Sequence, residues 1–198
     1  MNKHNKQSNK GFTIIEALVA IFILTVSVIS MLSVTASSAT SARYANNEIA
    51  AKYLSEEAID YIRNSRDTIA FQHKDDNGYG WNGFINKYNN GTINCFSPNG
   101  CDIRMEKFDP SSLANLDLIS CGISGCENLY FDKETTSKKF FYSHDDKSGS
   151  KSPFSRTIKM ENIGSGGDQI KVTVAVNWKN GSIDRTQSII VYLLNWQK

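Results

Sequence analysis

Residues 12–32 read FTIIEALVAIFILTVSVISML, and what this stretch becomes decides the rest of the fold. It holds no Pro and no Gly, and its one ionisable side chain is Glu16. As a helix rising 1.5 Å per residue it spans about 30 Å, the thickness of a bilayer's hydrocarbon layer. It is apolar on every side, which suits lipid or the interior of a helical assembly. Lys3, Lys6 and Lys10 precede it with no acid among residues 1–11, and Arg43 is the first basic residue after it. That bias predicts a cytoplasmic N-terminus and a body on the far side of the membrane.

Composition agrees with a head, an apolar run and a body. The chain has 198 residues, is 40% hydrophobic and 21% charged, and carries a formal charge of +2. These values exclude bulk disorder and collagen-like repeats. The charge is too small for a protein that tracks a phosphate backbone through a concentrated basic face. Residues 1–11 hold +3, so the remainder is close to neutral.

Three readings of the apolar run compete. An ordinary secretory signal would be cut after it, and the small residues of Val34-Thr35-Ala36 and Ser37-Ser38-Ala39 fit that rule. A plain single-span anchor would not be cut. In the third reading cleavage falls at Gly11–Phe12, and the helix stays on the mature protein. Glu16 separates them. A carboxylate at the centre of a membrane helix costs about 2.5–3.5 kcal/mol on insertion scales, and neither of the first two readings needs it. In the third, Glu16 lies one turn from the freed Phe12 amine and the positive end of the helix dipole. In an assembly, Glu16 of one subunit can then neutralise the Phe12 amine of the next.

Lys10-Gly11-Phe12-Thr13-Ile14-Ile15-Glu16-Ala17 resembles the processing site of type IV prepilins and the related pseudopilins. The family pattern is a basic leader, Gly, Phe, three mostly apolar residues, Glu and a long apolar helix. The resemblance implies cleavage after Gly11 by a membrane prepilin peptidase, N-methylation of Phe12, and an assembly role for Glu16. It also implies a pilin-like fold, with a long helix laid across an antiparallel sheet. Residues 53–67, YLSEEAIDYIRNSRD, and the terminal Asn195-Trp196 resemble the minor-pilin branch labelled PilV-like. Unlike many major pilins, the chain has no Pro within the helical stretch.

The spacing predicts one helix over about 12–66. Beyond Arg43, Ala50, Tyr53, Leu54, Ala58, Tyr61 and Ile62 form an apolar face. Residues 67–150 are crowded with turn signals such as Asp76-Asn77-Gly78, Asn90-Gly91 and Pro98-Asn99-Gly100. They read as loops with short strands near 128–132 and 139–143 and one short helix near 111–115. Three strands follow at about 154–163, 169–178 and 185–196. The second alternates Ile170, Val172, Val174, Val176 and Trp178 against Lys171, Thr173 and Asn177. With hairpin connectors at 164–167 and 179–182, this is an antiparallel meander with one apolar face that needs cover. The expected fold class is α+β: a long N-terminal helix, half membrane-spanning and half amphipathic, packed on a C-terminal antiparallel β-meander. The expected divisions are a leader at 1–11, a transmembrane or filament-core half at 12–34, an amphipathic half at 35–66, a loop-rich region with the cysteines at 67–152, and the sheet at 153–198.

Four cysteines allow three disulfide pairings. An extracytoplasmic body favours disulfides. Cys95 with Cys101 and Cys121 with Cys126 each enclose turn-forming sequence, so these local pairs are expected. The rival is a four-thiolate zinc site, although the close Cys-x-x-Cys knuckle is absent. No catalytic constellation emerges. His73 beside Asp75 and Asp76, and His144 beside Asp145 and Asp146, read as solvated polar loops. Asp75-Asp76-Asn77-Gly78 lacks the bidentate Glu of a calcium loop.

The expected function is therefore a structural, non-enzymatic subunit of a type IV pilus, without a cofactor or metal. Its partners would be the prepilin peptidase, other pilin subunits, the inner-membrane assembly platform and, before assembly, membrane lipid. It would be a single-pass membrane protein that moves into an extracellular filament. The alternatives are a pseudopilin of a type II secretion or DNA-uptake machine, and a secreted or anchored binding domain using the Tyr79 and Trp81 loop as an aromatic contact. A nucleic-acid role would rest on the loose cluster Lys138, Lys139, Lys147 and Lys151, and would require salt-sensitive binding.

Overall fold

The clearest alternation in the sequence becomes the middle of a sheet. A computed structural model describes residues 11–73, 79–104, 117–133, 140–144, 150–164 and 167–196. Strand β6, Gln169–Asn180, buries Ile170, Val172, Val174, Val176 and Trp178 on one face. It pairs antiparallel on one side with β5, Ser150–Ile163, and on the other with β7, Ile183–Leu194. The β6–β7 turn leaves two residues between Asn180 and Ile183, and Gly181 takes φ 64°, as primed turns of this length require.

The sheet is wider than the expected meander. Four short strands, β1 (Cys101–Arg104), β2 (Asp117–Ser120), β3 (Asn128–Lys133) and β4 (Phe140–Ser143), join it through the free edge of β5. β1 meets β5 at Cys101–Ile158 and pairs with β2; β3 pairs with the start of β5 and with β4. β3 and β4 fall where sequence placed them. β1 (CDIR) and β2 (DLIS) lie in a region read as loop, because they lack the aromatic run that marks β4 (FFYS) at the same length. β5 begins four residues earlier than expected. Pro153 sits where its register against β3 shifts, and a bulge is where a strand tolerates a residue without an N–H donor. The short helix expected near 111–115 lies outside the described residues.

Two helices complete the described elements. α1 runs Ile14–Gln72, starting two residues later and ending six residues later than the expected 12–66. The chain divides into two compact units, Met1–Ala45 and Asn46–Lys198, and α1 contributes to both. Within the second unit, Leu54, Ala58, Ile59, Tyr61 and Ile62 of α1 join the core against Ile158, Met160, Ile170, Val172, Val174 and Leu193 of the sheet. Tyr53, assigned to this apolar face from sequence, is 67% exposed: it lies to one side of the stripe centred on Leu54, Ala58 and Ile62.

α2, Tyr79–Tyr88, corrects a second expectation. The sequence read as a loop because Gly80 and Gly83 are poor helix formers. Trp81, Phe84 and Tyr88 nevertheless recur at helical spacing and are all buried in the core. Gly83 is needed for packing. A Cβ there would meet the Ile69 side chain at 3.3 Å, so its absence lets α2 lie close on α1.

One polar group crosses this apolar interior. Arg156 of β5 occupies an inward position and is 1% exposed. Its Nε donates to Asp102 Oδ1 at 2.7 Å, and its Nη1 donates to Glu57 Oε2 at 2.9 Å and the Leu54 carbonyl at 3.2 Å. Its Nη2 donates to the Ile103 carbonyl at 3.3 Å. One guanidinium thus ties α1, β1 and β5 together. Burial alone would lower its pKa, but Asp102 and Glu57 outweigh that and raise it. Arg156→Leu should destabilise the second unit by about 3–5 kcal/mol, because it strands the buried Asp102 carboxylate. In urea denaturation the double variant Arg156→Leu/Asp102→Leu should recover part of that loss; equal or greater destabilisation of the double variant would count against the network.

Tyr88 gives a pH signature. Its ring is wholly buried, and desolvation raises the hydroxyl pKa well above the ordinary value of 10.0. The unfolded tyrosine ionises near pH 10 while the folded one does not. This stability is therefore complete below pH 10 and is lost as pH rises beyond it. Tyr88→Phe should flatten the alkaline fall in thermal midpoint above about pH 10; an unchanged slope would assign that fall to other groups.

Candidate functional site

The start of α1 is built by Thr13. Gly11, Phe12 and Thr13 precede the helix and are exposed, with Phe12 at 71%. The Glu16 amide lies 3.4 Å from Thr13 Oγ1, and the Ala17 amide donates to the Thr13 carbonyl at 3.1 Å. This is the arrangement of an N-cap threonine, whose hydroxyl takes up a helix-start donor that would otherwise lack a partner. Among the described residues nothing lies within 4 Å of a Cβ built on Gly11. Glu16 sits in the first turn, where a negative charge meets the positive end of the helix dipole.

Beyond Glu16 the helix presents an apolar surface. Ile14, Ile15, Leu18, Phe22, Leu24, Ile29 and Leu32 are each exposed by more than half. By length and composition it can cross a membrane. The polar side chains in the stretch look after themselves. Thr25 donates to the Phe22 carbonyl, Ser27 to Ile23 and Ser30 to Val26, each at 2.8 Å. Such back-bonded hydroxyls are tolerated in lipid because they leave no donor unmet. Glu16 has no such arrangement and forms no ion pair among the described residues. Gly11, Phe12 and Glu16 thus lie within six residues of one another, at the exposed start of the helix, and Glu16 has no charged partner among the described residues.

The cysteines form two disulfides, Cys95–Cys101 with Cα atoms 4.7 Å apart and Cys121–Cys126 at 4.4 Å. No thiolate is then left for zinc. Among the described residues no three His, Cys, Asp or Glu side chains gather as metal ligands. Of the two aromatics that the binding-domain alternative would use, Trp81 is buried, its ring 5% exposed and its Nε1 donating to the Gly167 carbonyl at 2.7 Å, whereas Tyr79 is exposed. Asp75, Asp76, Asp145, Asp146, Lys138, Lys139 and Lys147 lie outside the described residues. His73 packs on Tyr79, with ring centroids 4.4 Å apart.

Besides Arg156, two polar groups escape the sequence reading, His144 and Lys87. His144 was placed in a solvated loop. It is buried, with Nε2 3.1 Å from Asp102 Oδ2, on the opposite carboxylate oxygen from Arg156. Lys87 lies partly buried with Nζ 3.0 Å from Ser65 Oγ and 3.5 Å from the Tyr61 hydroxyl. Burial lowers its pKa. The available signal for Arg156 was its place in the alternation Phe154, Arg156, Ile158, Met160, a charge at an inward position of a strand. Nothing local in the sequence marks His144 as buried.

A family model described as the prokaryotic N-terminal methylation motif matches residues 6–32, the stretch that contains Gly11, Phe12, Glu16 and the apolar run. Neither curated proteins nor solved structures gave a match to the chain.

If Glu16 is the sole unmet polar group of the span, Glu16→Ala should make membrane insertion of residues 12–32 more favourable, by up to about 3 kcal/mol on insertion scales. A glycosylation-reporter insertion assay reads this directly. Weaker insertion of the variant would mean that Glu16 supports the span itself.

Proposed function

We propose that this chain is a structural subunit of a type IV pilus, of minor-pilin type and nearest the PilV-like branch. A prepilin peptidase cuts it after Gly11, and the new Phe12 amine is N-methylated. Residues 12–34 anchor it in lipid until the assembly platform passes it into the filament, where the same helix packs against those of other pilin subunits. The observation that carries this reading is the methylation-motif match over residues 6–32 together with a single unpaired carboxylate in an otherwise self-satisfied apolar helix. Cleavage creates a cation four residues before Glu16. Each charge is costly alone in an apolar bundle, and pairing between neighbouring subunits offsets both costs.

The remaining features agree with this role. The two disulfides suit an oxidising compartment outside the cytoplasm. The α+β arrangement, a long N-terminal helix followed by an antiparallel sheet, is that of a pilin-like subunit. A pseudopilin of a secretion or DNA-uptake machine is served by the same helix and the same motif.

The test is intact mass with N-terminal fragmentation on protein from the native membrane fraction. The expected chain starts at Phe12 and carries one added methyl. A chain starting near Ser37 or Thr40 would make this a released soluble domain. In the same host, Glu16→Ala should still be inserted and cleaved but should enter sheared filaments at less than about a tenth of the wild-type level, the loss of one desolvated charge pair. Wild-type incorporation would remove the pairing mechanism.

A further inference from the structure

Two short disulfide loops wall a groove on the solvent face of the sheet, opposite the core. Its floor consists of cross-strand neighbours: Thr157 faces Ala175 and Lys159 faces Thr173, with Asn177 one step further along β6. Their chain neighbours Ile158, Met160, Val172, Val174 and Val176 are buried, so the pleat turns the floor residues outward. Asn99 of the first loop and Ile123 of the second form the walls, and the groove encloses about 280 Å³.

The walls are fixed before any ligand arrives. The Met160 amide donates to the Cys95 carbonyl at 2.9 Å, and the Cys121 amide donates to the Gly100 carbonyl at 3.1 Å, which ties each loop to the sheet or to the other loop. Gly100 has φ 72°, and a Cβ on it would lie 2.5 Å from the Ile158 carbonyl oxygen, so only glycine lets the first loop press this closely on β5. Ile123 is 97% exposed, on a loop closed by Cys121–Cys126 and by a Gly125 amide to Gly122 carbonyl bond of 3.0 Å. A disulfide over so short a loop adds little to folding. What it does here is hold an apolar side chain in water at the rim of a groove, which reduces the ordering cost of binding.

The groove is rich in donors. Thr186 Oγ1 donates to Asn177 Oδ1 at 2.7 Å, which occupies the amide's acceptor and leaves its Nδ2 donor. Lys159 is exposed and has no acidic partner among the described residues, since its neighbour Glu161 is held by Lys171 at 2.9 Å. Among the described residues no carboxylate lines the groove. The floor's backbone is engaged in the β5–β6 ladder, so an extended peptide finds no strand edge to join. We infer that this groove binds a carboxylate-bearing sugar unit of an acidic saccharide. The carboxylate meets Lys159, the hydroxyls meet Asn99, Thr173 and Asn177, and Ile123 covers a C–H face of the ring.

The test is calorimetric titration of the full chain in detergent with D-glucuronate, D-glucose, acetate and a tetraglutamate peptide. Glucuronate should bind saturably in the millimolar range, with glucose and acetate at least about tenfold weaker. Lys159→Gln should weaken glucuronate about tenfold, the loss of one charge-assisted hydrogen bond, with an unchanged circular dichroism spectrum. Ile123→Ser, a second exposed position, should also weaken it. Absent glucuronate binding, equal binding of glucose, tighter binding of the peptide, or indifference to both substitutions would each overturn the assignment. The readout does not depend on Phe12 being a mature N-terminus, so it can fail while the filament reading stands.

Discussion

The guanidinium of Arg156 is the point through which the folded body is held to its helix. It is a charge placed among the buried apolar side chains of the sheet, and it is tolerated because four of its N–H groups have partners on two further elements, α1 and β1. Two of those partners are carboxylates from distant parts of the chain, Glu57 on α1 and Asp102 on β1. An apolar helix face can slide by a turn on an apolar sheet at modest cost. A forked donor cannot, because sliding would leave a buried charge unpaired. The cluster therefore sets the register between α1 and the sheet, while Ile62, Phe84, Ile158 and Val172 supply the bulk of the burial.

The same rule acts with the opposite outcome at the other end of α1. Inside the body the buried Arg156 is paired within the chain, by Asp102 and Glu57. In the apolar segment, serine and threonine hydroxyls are satisfied by the helix's own carbonyls, and Glu16 is left over. Among the described residues Glu16 has no charged partner. In the proposed assembly the Phe12 amine of a neighbouring subunit supplies one, and pairing offsets the cost of both charges.

Much of this was legible in residue order because it depends on short-range periodicity. The 3.6-residue stripe through Leu54, Ala58 and Ile62 and the two-residue alternation from Ile170 to Trp178 announce their elements before any tertiary contact exists. The two cysteine loops were legible for a related reason: each closes over a turn. What escaped was non-local. α2 looked like a loop because its glycines weaken it as an isolated helix, and the burial of Trp81, Phe84 and Tyr88 overrides that weakness. β1 and β2 carry no aromatic or β-branched run to signal them; the edge of β5 takes up β1, and β1 in turn takes up β2. His144 looked solvated because its neighbours in sequence are polar, whereas its neighbours in space are Asp102 and the core.

Sequence by itself determined the division into basic head, apolar helix and sheet, the spacing of Gly11, Phe12 and Glu16, and the α+β class. Each of these follows from which residues stand within a turn or a strand of one another, and the chain fixes that directly. Tertiary structure alone decided that Arg156, Asp102, Glu57 and His144 meet, and that two disulfide loops close over the outward faces of Thr157, Lys159 and Thr173. Those groups lie tens of residues apart, and only the burial of the intervening apolar surface sets the distances at which their charges and hydrogen bonds can act.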